Sequence, residues 1–168
     1  MKRPQETPRA GDYMNRHVRT VSPEMRLDAV VSFLLEHEVS NAPVVEERDG
    51  RRVLVGFISE HDCLEHLSNE LFYGSPSQPQ SAATIMRKHP VCVEPDTELF
   101  ALASILVNHR MRHLPVVADG ELLGIVSRAD ILKALDEYYR EYVAGRERER
   151  HPPDIHELIH HRFIMSGR

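Results

Sequence analysis

Tryptophan is absent from this chain of 168 residues, and the other aromatic residues amount to five Tyr and five Phe. Cysteine occurs only at Cys63 and Cys92. Two thiols are too few for a disulfide framework or a four-thiolate zinc site. A basic surplus is missing as well: Lys and Arg total 21 against 26 Asp and Glu, a formal net charge of −5. That argues against a general nucleic-acid binder and leaves room only for a local basic patch. No long apolar run exists. The nearest approach, Leu99 to Val107, falls far short of the ~20 residues that cross a bilayer, so no membrane partner is expected. Met1 to Asp12 is polar and holds Pro4 and Pro8, unlike a signal peptide, and a cytoplasmic protein is expected. What remains, 41% hydrophobic and 28% charged residues, is the composition of a soluble globular chain.

The chain repeats itself. Tyr13-Met14-Asn15, Val21-Ser22-Pro23 and Asn41-Ala42-Pro43-Val44-Val45 return 72 residues later as Ile85-Met86-Arg87, Val93-Glu94-Pro95 and His113-Leu114-Pro115-Val116-Val117. Gly56-Phe57-Ile58-Ser59-Glu60-His61-Asp62 returns 68 residues later as Gly124-Ile125-Val126-Ser127-Arg128-Ala129-Asp130. The first copy therefore carries four extra residues between Val45 and Gly56. They surround Asp49-Gly50, matched in the second copy by Asp119-Gly120. Asp-Gly between apolar runs is a hairpin signal, because both positions tolerate positive φ, and a hairpin tip accepts extra residues.

Each copy reads strand, helix, strand, hairpin, strand, helix. Ser22-Pro23 has the form of an N-cap followed by Pro at the first helical position. Leu27, Val30, Val31, Leu34 and Leu35 then form an apolar stripe, and Leu99, Leu102, Ala103, Leu106 and Val107 repeat it. The short Val/Ile-rich runs Ala42–Val45, Leu54–Ile58, Leu114–Val117 and Leu122–Val126 read as strands. A last helix follows Ser59 and Ser127. The fold class expected is α/β (α+β), with two copies at 13–72 and 84–142 and a linker at 73–83. Residues 1–12 read as a flexible arm and 143–168 as a helical appendix, set off by Gly145 and Pro152-Pro153.

The ordered motifs, twice over, resemble the cystathionine-β-synthase-type (CBS) domain, and together a CBS pair, or Bateman module, over about residues 13 to 142. The resemblance implies two pseudo-symmetric repeats forming a disc, each a small sheet packed by two helices, with two clefts between them. It further implies no enzyme activity and no obligatory cofactor. In its place comes a regulatory ligand containing adenosine: AMP, ADP, ATP or S-adenosylmethionine. A homodimer and a regulated protein in trans complete the picture.

The site residues follow from the same resemblance. Ser59 with Asp62, and Ser127 with Asp130, face the clefts, the carboxylate accepting from ribose hydroxyls. The spacing alone equally fits a capping box, [ST]-x-x-[DE], and one residue can serve both. Asn41, Ala42 and Pro43, with Leu114 and Pro115, line the adenine slot, and Thr20-Val21 and Cys92-Val93 flank it. Cys92 and Cys63 otherwise read as apolar filler and core. Arg110, Arg112, His113 and Arg128 make the second copy more basic, and Arg offers a fork of donors to phosphate. The Ser127/Asp130 cleft is therefore expected to be the better anion site. Two other readings stand beside this one. The first is a protein-interaction module without a ligand. The second is a metallopeptidase built on His156-Glu157-Leu158-Ile159-His160, a literal HExxH whose simpler reading is a short amphipathic helix.

Overall fold

Both Asp-Gly pairs form two-residue turns in the structure, a computed structural model that describes residues 8–74 and 80–149. Asp49 and Gly50 have φ of 51° and 73°, and Asp119 and Gly120 have 50° and 81°. Positive φ at both central residues is what lets a tight hairpin keep its right-handed twist. The first turn joins β1 (Asn41–Arg48) to β2 (Arg51–Ser59), and the second joins β4 (His113–Ala118) to β5 (Glu121–Ser127). Each ladder carries a bulge at the same place, between Val44 and Val45 and between Val116 and Val117. The four extra residues of the first copy lengthen both arms of its hairpin. Its outer arm then reaches the second hairpin, where Val53 pairs with Glu121. One sheet of order β1-β2-β5-β4 results, instead of two separate small sheets.

The helices before the hairpins are α2 (Leu27–Glu36) and α5 (Leu99–Asn108). Neither starts at the Pro of its motif. Ser22 to Met25 closes as a turn, with Met25 N–H donating to the Ser22 carbonyl at 3.2 Å, and the helix begins at Leu27. Leu27, Val30 and Leu34 are buried, as are Leu99, Leu102 and Leu106. The last stripe positions, Leu35 and Val107, are 68% and 72% exposed. A stripe confined to i, i+3 and i+7 suffices because each helix covers one face of a narrow hairpin. Copy one buries these residues with Val21, Val44, Ile58 and Cys63.

The segments ahead of each copy cross over to the other. Residues 8–12, expected within a flexible arm, are instead hydrogen-bonded to copy two. Ala10 N–H donates to the Thr97 carbonyl at 2.8 Å, Leu99 N–H donates to the Pro8 carbonyl at 2.9 Å, and Ala10–Tyr13 forms a turn of helix, α1. The matching α4 (Ala82–Ile85) lies on copy one, with Ala82 N–H donating to the Met25 carbonyl at 2.7 Å. The loop assigned to 73–83 therefore ends before Ala82. Beyond each turn the chain passes over a bare glycine. Met14-Asn15 crosses Gly124, where an added Cβ would stand 2.8 Å from Met14 Sδ and 2.9 Å from the Asn15 carbonyl oxygen. Arg87–Lys88, as β3, pairs with Phe57 and Gly56 in the same way. Glycine is required here because backbone meets backbone.

The closing helices are α3 (Glu60–Tyr73) and α6 (Arg128–Glu149). Gly145 does not end α6: one glycine costs a helix only about 1 kcal/mol relative to alanine, and its neighbours are strong helix formers. Residues up to Ile131 form one compact unit, and from Leu132 a second begins, whose described part is the rest of α6. The HExxH segment lies outside the described residues. No helix among the described residues is long and apolar enough to cross a membrane.

Candidate functional site

Ser59 ends β2 in an extended conformation and caps α3. Its hydroxyl accepts from Asp62 N–H at 3.3 Å, and its own N–H donates to Asp62 Oδ2 at 2.9 Å. Ser127 and Asp130 repeat the arrangement at the head of α6, both bonds measuring 3.1 Å. The capping box read from spacing is thus present in both copies. The copies differ at the outer carboxylate oxygen. Arg87 Nε donates to Asp62 Oδ1 at 3.2 Å, whereas among the described residues only Ser127 bonds Asp130.

Arg87 is there because β3 crosses onto β2. The same crossing places Lys88, His89, Pro90 and Val91 along one side of a cleft of about 730 Å3. Ser40, Asn41, Phe57, Ser59, Glu60, His61, Asp62 and Leu64 form the copy-one side, and His109 to His113 closes it from copy two. The cleft is polar at the α3 N-terminus and apolar around Phe57, Pro90, Val91 and Met111. Its charged walls hold four permanent cations, Arg87, Lys88, Arg110 and Arg112, against the carboxylates of Glu60 and Asp62. With the positive end of a helix added, this is an anion-accepting surface beside a carboxylate.

Two backbone details present these cations. Arg110 has φ of 52° and sits just past α5, where Met111 N–H donates to the Leu106 carbonyl and Arg110 N–H to the Val107 carbonyl. This is a Schellman C-cap, with Arg in the place that usually holds Gly. His89 also has positive φ, 54°. His113 is half-buried, and its Nδ1 accepts from the Asn41 amide at 2.8 Å. Burial pushes the imidazole below its ordinary value. Asp130 pulls it upward, and Arg112 and Arg128 push it further down.

Of the residues singled out in the sequence, the cleft brings together Asn41, Ser59, Asp62, Arg110, Arg112 and His113. Ala42, Pro43, Leu114 and Pro115 are buried in their strands, and Val21 and Val93 bond to the Pro43 and Pro115 carbonyls. Ser127, Arg128, Asp130, Thr20 and Cys92 are not among its walls. Arg110 and Arg112 of copy two therefore gather opposite Asp62, whereas the sequence leads one to expect the better anion site beside Asp130. The reason is that the cleft is walled by both copies. Cys92 is exposed, so it is not a filler, while Cys63 is core as expected. Burial, with Asp62 and Glu60 nearby, pushes the Cys63 thiol up to about 11. Arg87 to Val91 escaped the sequence reading. Their one signal was that Arg87 stands where copy one has Asn15.

Comparison with known proteins agrees with this fold. The crystal structure of Arabidopsis thaliana CBSX2 in complex with AMP superposes with a TM-score of 0.67 at 31% identity, over 78% of this chain and 98% of that one. Protein MJ1225 from Methanocaldococcus jannaschii, described as a putative archaeal homologue of γ-AMPK, gives 0.67 at 27% identity, over 77% of this chain and 48% of that one. In sequence, the mitochondrial CBS domain-containing protein CBSX3 of Arabidopsis thaliana is 29% identical over 68% of this chain and 54% of its own length. The inosine-5'-monophosphate dehydrogenase of Korarchaeum cryptofilum is 31% identical over 79% of this chain and 24% of its own. The chain thus spans about half or less of these two curated relatives. Residues 10–69 and 82–137 each match the CBS domain family, and the chain belongs to that family as a tandem CBS pair.

Proposed function

We propose that the chain is a regulatory module that binds an adenine nucleotide in the cleft between Ser59/Asp62 and the basic wall of copy two. The observation that carries this reading is the joint presence of a diol acceptor, Asp62, and four cations around one cleft of about 730 Å3. That volume lies within the ~300–1,000 Å3 of ordinary small-molecule sites. Asp62 accepts from the ribose, the apolar wall takes the base, and Arg110, Arg112 and the α3 N-terminus take phosphate. CBSX2 at 31% identity, solved with AMP, supports the ligand class. Ser127, Arg128 and Asp130 form the second candidate site of this proposal.

The output is regulatory: a ligand that prefers one arrangement of the copies shifts its population. A homodimer belongs to the proposal, with a second copy covering the exposed Leu35, Leu64 and Val107. So do a partner regulated in trans and a cytoplasmic location. No catalysis is proposed.

The test is a thermal-shift panel with AMP, ADP, ATP, S-adenosylmethionine, guanine nucleotides and no ligand. A ligand at ~100 times its Kd stabilises by about 2.7 kcal/mol, which in a chain of this size raises Tm by roughly 5–10 °C. A selective rise with an adenine compound supports the sensor. A flat panel at millimolar concentration favours the interaction module.

A further inference from the structure

The two candidate carboxylates differ in whether a cation already occupies them. Asp62 is nearly buried, its side chain 10% exposed, and Arg87 stands on its outer oxygen with a side chain 68% exposed. Backbone pairing of β3 with Phe57 and Gly56 holds Arg87 in place, while its guanidinium stays at the rim. In the other copy the matching residue is Asn15, whose side-chain oxygen accepts from the His17 N–H at 2.9 Å and so is turned back on its own chain. Asp130 has no cation partner among the described residues.

We propose that Arg87 is a specificity-determining residue of the Asp62 cleft, admitting phosphorylated adenosines and excluding uncharged or cationic ones. The inference rests on the adenosine-binding reading above and names which members of that class enter. A ribose diol that reaches Asp62 Oδ1 competes there with the guanidinium, which holds one of that oxygen's acceptor positions. A nucleotide supplies a phosphate to receive it, so one charge-assisted contact is exchanged for another. Adenosine and methylthioadenosine supply nothing, and S-adenosylmethionine, although its single carboxylate can receive the guanidinium, brings a sulfonium and an ammonium toward a wall already rich in Arg and Lys. The Arg87 side of the pair lies open to water, so its guanidinium can change partners reversibly. The Asp130 cleft lacks the guanidinium and does not sort ligands in this way.

The test is calorimetric titration of the full chain with AMP and with adenosine. Asp130→Asn serves as background, keeping a side-chain acceptor for the Ser127 N–H while weakening the second candidate site. Arg87→Asn, the residue copy one carries, is then added. The expected result is clear preference for AMP in the background. On adding Arg87→Asn, AMP weakens about tenfold and adenosine tightens by up to about threefold. Equal affinity for the two compounds, or a ratio unmoved by Arg87→Asn, overturns the role of Arg87 and leaves the adenosine reading standing. AMP that binds the unmodified chain but not the Asp130→Asn background overturns it too, by placing the ligand elsewhere. Binding of neither compound to the unmodified chain overturns both.

Discussion

Asn41 and His113 occupy the same position in the two copies, 72 residues apart, and their side chains bond directly at 2.8 Å. A residue meets its own repeat equivalent only where the local two-fold axis passes. The axis therefore runs between β1 and β4, and the pair on it is not symmetric: one member is an amide and the other titrates.

His113 makes stability depend on pH. Burial is the largest influence and lowers its native value; Asp130 pulls it upward, and Arg112 and Arg128 push it down. In the unfolded chain it takes a proton near pH ~6.5, before the native form does. Its contribution to stability is therefore complete above that value and is lost as pH falls toward the depressed native value. His113→Asn removes the titration and keeps a partner for Asn41. Between about pH 7.5 and pH 5.5, Tm should fall further for the natural chain than for this variant. Equal falls would assign the pH dependence to other groups.

Glu38 and Arg110 share a left-handed backbone, each with φ of 52° and each just past a helix end. That geometry costs a side-chain-bearing residue about 1–2 kcal/mol, partly offset when glycine replaces it by the entropy glycine loses on folding. Negative charge at a helix C-terminus is unfavourable and positive charge favourable, by about 0.3–1 kcal/mol. Glu38→Gly should therefore raise Tm by about 2–4 °C. Arg110→Gly should leave Tm nearly unchanged while weakening AMP about tenfold. Melting curves and titrations of both variants check this. A Tm gain at Arg110 equal to that at Glu38 would remove the charge argument.

Gly124→Ala should destabilise by about 1–3 kcal/mol, since the new methyl meets the Asn15 carbonyl as well as Met14. Asn15 is itself bonded to Ile125 in both directions, at 2.9 and 3.0 Å, so it has little room to retreat. Denaturant unfolding measures the loss. A neutral result would mean that the crossing strand shifts freely.

The two thiols should separate kinetically. Cys92 is exposed and Cys63 is buried with its thiol pushed up to about 11. Ellman's reagent at about pH 8 should titrate one thiol at once and the second only at the rate of unfolding. Two fast thiols would contradict the burial of Cys63.

The hairpins were legible in the sequence, because Asp-Gly dictates positive φ locally. So were Leu27, Val30 and Leu34, since helical spacing is a local property. The start of α2 was misplaced, because Ser22-Pro23 satisfies the rule for a helix cap and also forms the turn ahead of one. The crossing of α1 and α4 left no local trace: it depends on which copy each short segment reaches. That is also why Asn41, Ser59, Asp62, Arg112 and His113 were found and Arg87 was not. Asn41, Ser59, Asp62 and His113 lie in repeated motifs and Arg112 adjoins one; Arg87 lies in one too, but it matters only because β3 delivers it to Asp62.

The exchange of the segments around Ala10 and Ala82 has a mechanical consequence. Tension on the chain ahead of Ala10 bypasses the copy that follows it and loads the one built on α5, through Thr97 and Leu99. Tension on the connector ahead of Ala82 loads the first copy, through Met25 and Leu27. The halves are interlocked like clasped hands, so neither can be peeled away without opening the other. Cut apart as separate polypeptides, each would regain its missing clasp only by finding a second molecule.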